Sequence, residues 1–295
     1  MLILLNRPEP ELEKFNYSLI HKIEKNVFGH GLEKFYLYKY YQPIFNTQTE
    51  GKDYKLYYLG GQSNMDGFGF NSDLPEELND TLKGVMIFHG NTSPDNTPVD
   101  GRGIWTELVP GHGAGFKSDG EINYYSERFG VELTFAQKLL DLDPGSNIAI
   151  LKYSRGGTSI DFEARGRLGC WEPDFRDTTD VNQYDHFLAA VRYALSVKDI
   201  DGDGEEDRLI PTGIIWMQGE SDAYFSEETA NRYEFNLKRL MDLMRAAFRV
   251  DDLPVVIGQI TDSGQDEDDG KVWKKTTAIR RTVSNKDFVF KTIVI

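Results

Sequence analysis

Short, unbroken apolar runs alternate along this chain with longer stretches whose apolar residues recur every three or four positions. The runs lie at 56–59, 84–89, 147–153, 213–217, 254–260 and 288–295. Runs this short with no polar face read as strands buried on both sides. Between them, Leu133, Ala136, Leu139 and Leu140 mark a helix over 131–142, and Leu237, Leu240, Met241 and Met244 mark one over 229–248. Further helices are predicted at 184–197 and 271–284, with a shorter one near 75–80. This alternation argues for an α/β fold with a parallel sheet covered on both faces and right-handed connections. Residues 90–121 are rich in Gly, Pro, Asn and Asp, and predict a long irregular loop. Residues 1–50 predict either one helix and one strand or a partly ordered arm, an N-terminal extension to a domain spanning 51–295.

If the strands are parallel, their carboxyl ends share one edge, where open α/β sheets bind ligands. Three polar turns sit at such ends. Ser63 follows the glycine pair Gly60-Gly61, Arg155-Gly156-Gly157-Thr158 follows 147–153, and Gln218-Gly219-Glu220-Ser221-Asp222 follows 213–217. Gly130 opens the helix GVELTFA. Together these residues suggest acyl transfer. A serine hydroxyl is a nucleophile only with a base, and the tetrahedral intermediate needs donors where negative charge develops. The Ser63 N–H, the Gly130 N–H and the Gln218 amide are three candidates. Each also has an ordinary structural reading: Ser63 as a helix cap, Gly130 as a helix-start glycine, Gln218 as a buried amide satisfying the turn. Gln62, Arg155 and Glu220 are candidate substrate contacts. Arg155 suits a carboxylate or hydroxyls, or a structural ion pair. Glu220 suits polarising a base, binding substrate or capping its turn.

Composition narrows the function classes. The chain has 295 residues, 39% hydrophobic and 27% charged, as in an ordinary globular protein. With 33 basic against 48 acidic residues, its net charge of -15 argues against nucleic-acid binding. The single cysteine, Cys170, excludes an internal disulfide. The apolar start breaks at Asn6-Arg7-Pro8, so no signal peptide is predicted, and no segment is long enough to span a membrane. Residues 199–207, DIDGDGEED, place Asp199, Asp201, Asp203 and Asp207 at positions one, three, five and nine of a calcium-type loop, with glycine at six. The twelfth position is Ile210, not glutamate, so a full EF-hand is absent. The alternatives are a structural calcium ion and a solvated acidic turn. Trp105, Trp171, Tyr124 and Tyr125 lie in loops, where aromatic faces suit either sugar rings or a small local core.

Four segments carry a family resemblance: GGQSNMDG around Ser63, FGVELTFA around Gly130, KYSRGGTSI around Arg155 and WMQGESDA around Gln218. In this order they resemble the SGNH hydrolase superfamily, in the carbohydrate-esterase branch of sialate O-acetylesterases and family six acetylxylan esterases. The resemblance runs from about Tyr54 to Ile295. It implies a three-layer α/β/α, flavodoxin-like sandwich, with Ser63 as nucleophile and Gly130 and Gln218 as oxyanion donors. It also implies an acetylated carbohydrate as substrate, and no cofactor for catalysis. Members are often exported, and the compartment of this chain is left open. One departure stands out. The family's base is a histidine in a final Asp-x-x-His block, whereas the histidines here are His21, His30, His89, His112 and His186. The chain is therefore expected to stop before that block. The alternative is a carbohydrate-binding pseudoenzyme without a base. His112, in the loop PGHGAGF, is expected to be solvent-exposed unless it reaches the site, and His186 is expected to be structural.

Overall fold

The computed structural model describes residues 51–92, 100–176 and 181–260. The expectations for residues 1–50, 271–284 and 288–295, and for His21 and His30, fall outside them.

A six-stranded sheet forms the centre. Its strands are β1 (Asp53–Gly61), β3 (Leu82–His89), β4 (Trp105–Leu108), β8 (Asn147–Ser154), β9 (Arg208–Met217) and β10 (Val255–Ile257), in the order β10-β9-β1-β8-β3-β4. All neighbours run parallel except β4, which pairs antiparallel with β3 at the edge. Two small two-stranded pieces lie outside it: β2 (Gly69–Phe70) with β7 (Arg128–Phe129), and β5 (Lys117–Ser118) with β6 (Asn123–Tyr124). The helices are α1 (Ser63–Asp66), α2 (Glu132–Leu142), α3 (Gln183–Ser196), α4 (Glu220–Phe225) and α5 (Glu227–Phe248).

The apolar runs are unbroken because successive side chains enter two different cores. Leu56, Tyr58, Ala149, Leu151, Ile214 and Trp216 pack with α3 and α5. Leu59, Ile148, Ile150 and Ile215 pack on the other face with Leu133 and Ala136 of α2. Helices thus cover both faces of a mostly parallel sheet, the α/β architecture expected from the sequence. Among the described residues no helix is long and apolar enough to cross a membrane.

Three local expectations change. The helix near 75–80 is a single 3-10 turn, Glu76–Leu78, capped by Pro75. The strand at 254–260 is limited to Val255–Ile257. The 90–121 segment contains strand β4, whose Leu108 is buried and whose Trp105 packs against Phe88. Its glycine and proline content conceals the four residues that complete the sheet edge.

Candidate functional site

The carboxyl ends of β1, β8 and β9 are level, since Gly61 pairs with both Ser154 and Met217. Beyond them the chain is tied on both sides. Gln62 N–H donates to the Met217 carbonyl at 2.9 Å, and Arg155 N–H donates to the Gly61 carbonyl at 3.1 Å. Gly61 has φ +145°, and a Cβ there would collide with the Met217 carbonyl. Glycine is required by both conformation and space.

Ser63 is the first residue of α1, not its cap. Gln62 holds the cap position and makes no side-chain cap bond. Ser63 Oγ has no hydrogen-bond partner among the described residues, so the capping reading fails on geometry. Met65, fully buried, anchors α1 into the core. Gly156 lies against the serine: a Cβ at 156 would sit 3.5 Å from Ser63 Cβ and 2.9 Å from Asp66 Oδ2. Asp66 Oδ2 accepts Gly156 N–H at 2.6 Å. Burial raises the Asp66 carboxyl above its usual range, against the opposing pull of Lys152, Gly156 N–H and Arg155.

The other candidates fall into two groups. Gln62, Glu220 and Gln218 gather around the serine turn. Asn64 Nδ2 donates to Glu220 Oε1 at 2.5 Å, while Glu220 Oε2 is buried without a partner among the described residues. Burial raises the Glu220 carboxyl as well. Gln62 Oε1 faces the start of α4, accepting Gly219 N–H and Ser221 N–H at 3.4 Å. The Gln218 amide is occupied: Nε2 donates to Asp222 Oδ2 at 2.7 Å, the Thr158 carbonyl at 3.1 Å and Gln62 Oε1 at 3.2 Å. Gly130, by contrast, lies at the far end of α1, where a Cβ on it would be 3.1 Å from Gly67 Cα. Its N–H donates to Glu132 Oε1 at 2.8 Å. Arg155 reaches Thr92 Oγ1 at 3.3 Å through Nη1.

The histidine readings need one correction. His112 is not solvent-exposed. It is fully buried, stacked on Phe116, with Nδ1 3.4 Å from His89 Nδ1. The motif PGHGAGF looks like a surface loop, but it folds over an aromatic cluster that includes Tyr125. Burial, followed by the Lys152 charge, pushes the His112 imidazole down to about 3, and the same causes lower His89. His186 is buried flat against Tyr153, as expected of a structural residue, and burial pushes it down to about 4. No described histidine hydrogen-bonds Ser63. A consequence for stability follows. The unfolded chain takes up protons at these imidazoles from about pH 6.5 downward, while the folded chain does so only near 3 at His112. The stability contributed by the neutral rings is present above about pH 6.5 and lost as pH falls toward 3. Urea unfolding between pH 7 and 4 is expected to show this slope, reduced in His112→Gln.

Trp171 and Trp105 serve packing rather than sugar contact. Trp171 is fully buried, edge-on to Trp216, with its N–H on Thr158 Oγ1 at 2.9 Å. Trp105 donates to the Ala194 carbonyl at 3.0 Å. Tyr124 and Tyr125 remain exposed.

In the acidic loop, one ligand atom each from Asp199, Asp201 and Asp207 lies within 4.8 Å of the others; Asp203 is not in the group. Asp203 pairs with Lys52 at 2.7 Å, and Lys52 also pairs with Asp201. Backbone amides of Gly202 and Gly204 bond Asp199, and those of Lys52 and Ile200 bond Asp207. Lys52 thus supplies a positive charge to this loop.

Comparison with known proteins adds a family to this geometry. The family model for carbohydrate esterases described as sialic acid-specific acetylesterase matches residues 53–292. No curated protein matches the chain. Among solved structures, a protein from Arabidopsis thaliana is similar with a TM-score of 0.53 and 16% identity, covering 81% of this chain and 84% of that one. A carbohydrate acetylesterase from Xanthomonas citri gives 0.53 and 20%, with 82% of this chain and 50% of that one covered. NanS gives 0.51 and 17%, with coverages of 82% and 77%. The chain spans half the length of the Xanthomonas protein. These likenesses show a shared fold, an α/β sheet covered by helices on both faces.

Proposed function

Because the chain belongs to the sialic acid-specific acetylesterase family of carbohydrate esterases, we propose that it removes acetyl groups from a carbohydrate by attack of Ser63. The observation that carries this reading is the Ser63 hydroxyl at the start of α1, between the level ends of β8 and β9, without a partner among the described residues. Ser63 Oγ attacks the ester carbonyl carbon, and the Oγ proton passes to a base. The carbonyl oxygen becomes an oxyanion. Collapse of the intermediate expels the sugar oxygen, which takes that proton. Water then attacks the acetyl-enzyme in the same way, releasing acetate.

The amides of Ser63 and Asn64 stand in the first turn of α1, where no intrahelical acceptor exists, and are the proposed oxyanion donors. Gly130 N–H and the Gln218 amide join them only by giving up Glu132 and Asp222. The base is proposed to come from outside the described residues. Glu220 Oε2, buried beside Asn64 and without a partner among the described residues, is proposed to orient that base or a sugar hydroxyl. Gln62 and Arg155 are proposed to line the substrate side. The test is acetate release from O-acetylated sialic acid and from acetylated xylo-oligosaccharide by the full-length protein. Turnover of at least one supports the reading, and turnover of neither removes it.

One observation favours a second reading, a carbohydrate-binding pseudoenzyme: none of the described histidines engages Ser63. Sugar binding without any covalent labelling of the serine would support it.

A structural calcium ion at Asp199, Asp201 and Asp207 is proposed separately. Calcium is expected to displace the Lys52 ammonium and raise the Tm, with chelator reversing the rise. An unchanged Tm leaves Lys52 as the cation of that loop.

A further inference from the structure

A lysine in the middle of an apolar strand is costly unless every proton and the charge are matched. Lys152 is such a residue. It lies on the face of β8 that carries Ile148 and Ile150, and its side chain is 0% exposed, as is that of Glu132. Lys152 Nζ donates to Glu132 Oε2 at 2.6 Å, the His112 carbonyl at 2.8 Å and the Asp66 carbonyl at 3.1 Å. The ammonium's three donors have three acceptors. The other Glu132 oxygen accepts Gly130 N–H. One buried ion pair therefore joins β8, the start of α2, the Gly130 turn, the His112 loop and the carboxyl end of α1.

That last connection bears on the site. α1 has four residues, far too few to hold its shape by its own hydrogen bonds. Its amino end is fixed by Gln62 N–H on Met217. At its carboxyl end, Lys152 holds the Asp66 carbonyl and Ala114 N–H holds the Gly67 carbonyl. A buried ion pair is no better for stability than apolar side chains of similar volume. What such side chains cannot replace is a donor aimed at the last carbonyl of the serine's helix.

We propose that Lys152 and Glu132 are positioning residues for Ser63, holding α1 so that the hydroxyl meets the ester carbonyl. The proposal rests on the reading of Ser63 as nucleophile, and it places Gly130 N–H in the clamp rather than on the oxyanion. A displacement of the nucleophile by about 1 Å is enough to cost on the order of a hundredfold in rate.

The test uses the full-length double variant E132L/K152M, which replaces the pair by apolar side chains. Three quantities are measured: Tm, kcat and KM on p-nitrophenyl acetate, and amide exchange. The expected result is a folded protein whose Tm falls only by what the unpartnered Gly130 N–H and the Asp66 and His112 carbonyls cost, with kcat lower by roughly a hundredfold and KM within about threefold. Exchange at residues 63–67 should accelerate while that of 148–151 stays slow. K152M alone is expected to lower both Tm and kcat, since it leaves Glu132 buried without a counter-charge. Wild-type kcat in the double variant would overturn the proposal. So would failure of the double variant to fold, which would make the pair a stability element. An inactive wild type would end the esterase reading instead, and the exchange pattern would still decide whether the pair holds α1.

Discussion

Ser63→Ala in the complete protein is expected to abolish acetate release from an acetylated sugar or p-nitrophenyl acetate, a loss on the order of a thousandfold or more, as for other enzymes that lose their nucleophile. The fold should be indifferent to the change. Ser63 Oγ has no partner among the described residues and makes no cap bond, so removing it breaks nothing. The neighbouring contacts, Gly156 N–H on Asp66 and Asn64 on Glu220, do not involve the hydroxyl. An unchanged Tm with activity lost is therefore the expected pair of readings. Undiminished turnover in S63A would mean that the chemistry lies elsewhere.

The second large effect is on stability. Asp222 is completely buried and accepts Ile160 N–H at 3.0 Å, Asp161 N–H at 2.9 Å and Gln218 Nε2 at 2.7 Å. Asp222→Ala strands the Ile160 and Asp161 N–H groups in a site water does not reach. Each stranded donor costs about 1–3 kcal/mol, so a loss of about 3 kcal/mol or more is expected in urea unfolding. That is a large part of the 5–15 kcal/mol typical of a domain. Burial pushes the Asp222 carboxyl up to about 6, against the pull of its three donors. The sign of the pH effect follows. A carboxyl raised from 3.8 to about 6 contributes stability that is present below 3.8 and lost as pH rises through 6. The penalty of D222A should accordingly be larger near about pH 4 than near about pH 8. Because Asp222 is also the shortest of the three contacts of the Gln218 amide, the variant leaves that amide only the Thr158 carbonyl and Gln62 Oε1.

Much of this was legible in the sequence, for identifiable reasons. The apolar runs at 147–153 and 213–217 announce strands buried on both faces, and the glycines after 56–59 announce the turn that carries Ser63. What the sequence hides is direction. Gly130 and Gln218 are residue types that suit an oxyanion hole, yet their donors point at Glu132 and Asp222, and nothing in the spacing says so. His112 reads as a loop residue because glycines surround it, whereas the rings that bury it come from positions 89, 116 and 125. Lys152 did leave a trace: a lone lysine inside NIAILKY demands a buried partner. A glutamate at the start of the preceding sheet-facing helix was the place to look for it. The acidic loop hides a partner in another way, since Lys52, which pairs with Asp201, lies 149 positions from it.

The central claim is that Ser63 is an activated nucleophile at the carboxyl edge of this sheet. It is tested most directly by treating the full-length protein with a fluorophosphonate and locating the adduct by peptide mass spectrometry. The account predicts one adduct, on Ser63, formed in step with loss of esterase activity and absent after heat denaturation. A folded, sugar-binding protein that forms no adduct at Ser63 would contradict it.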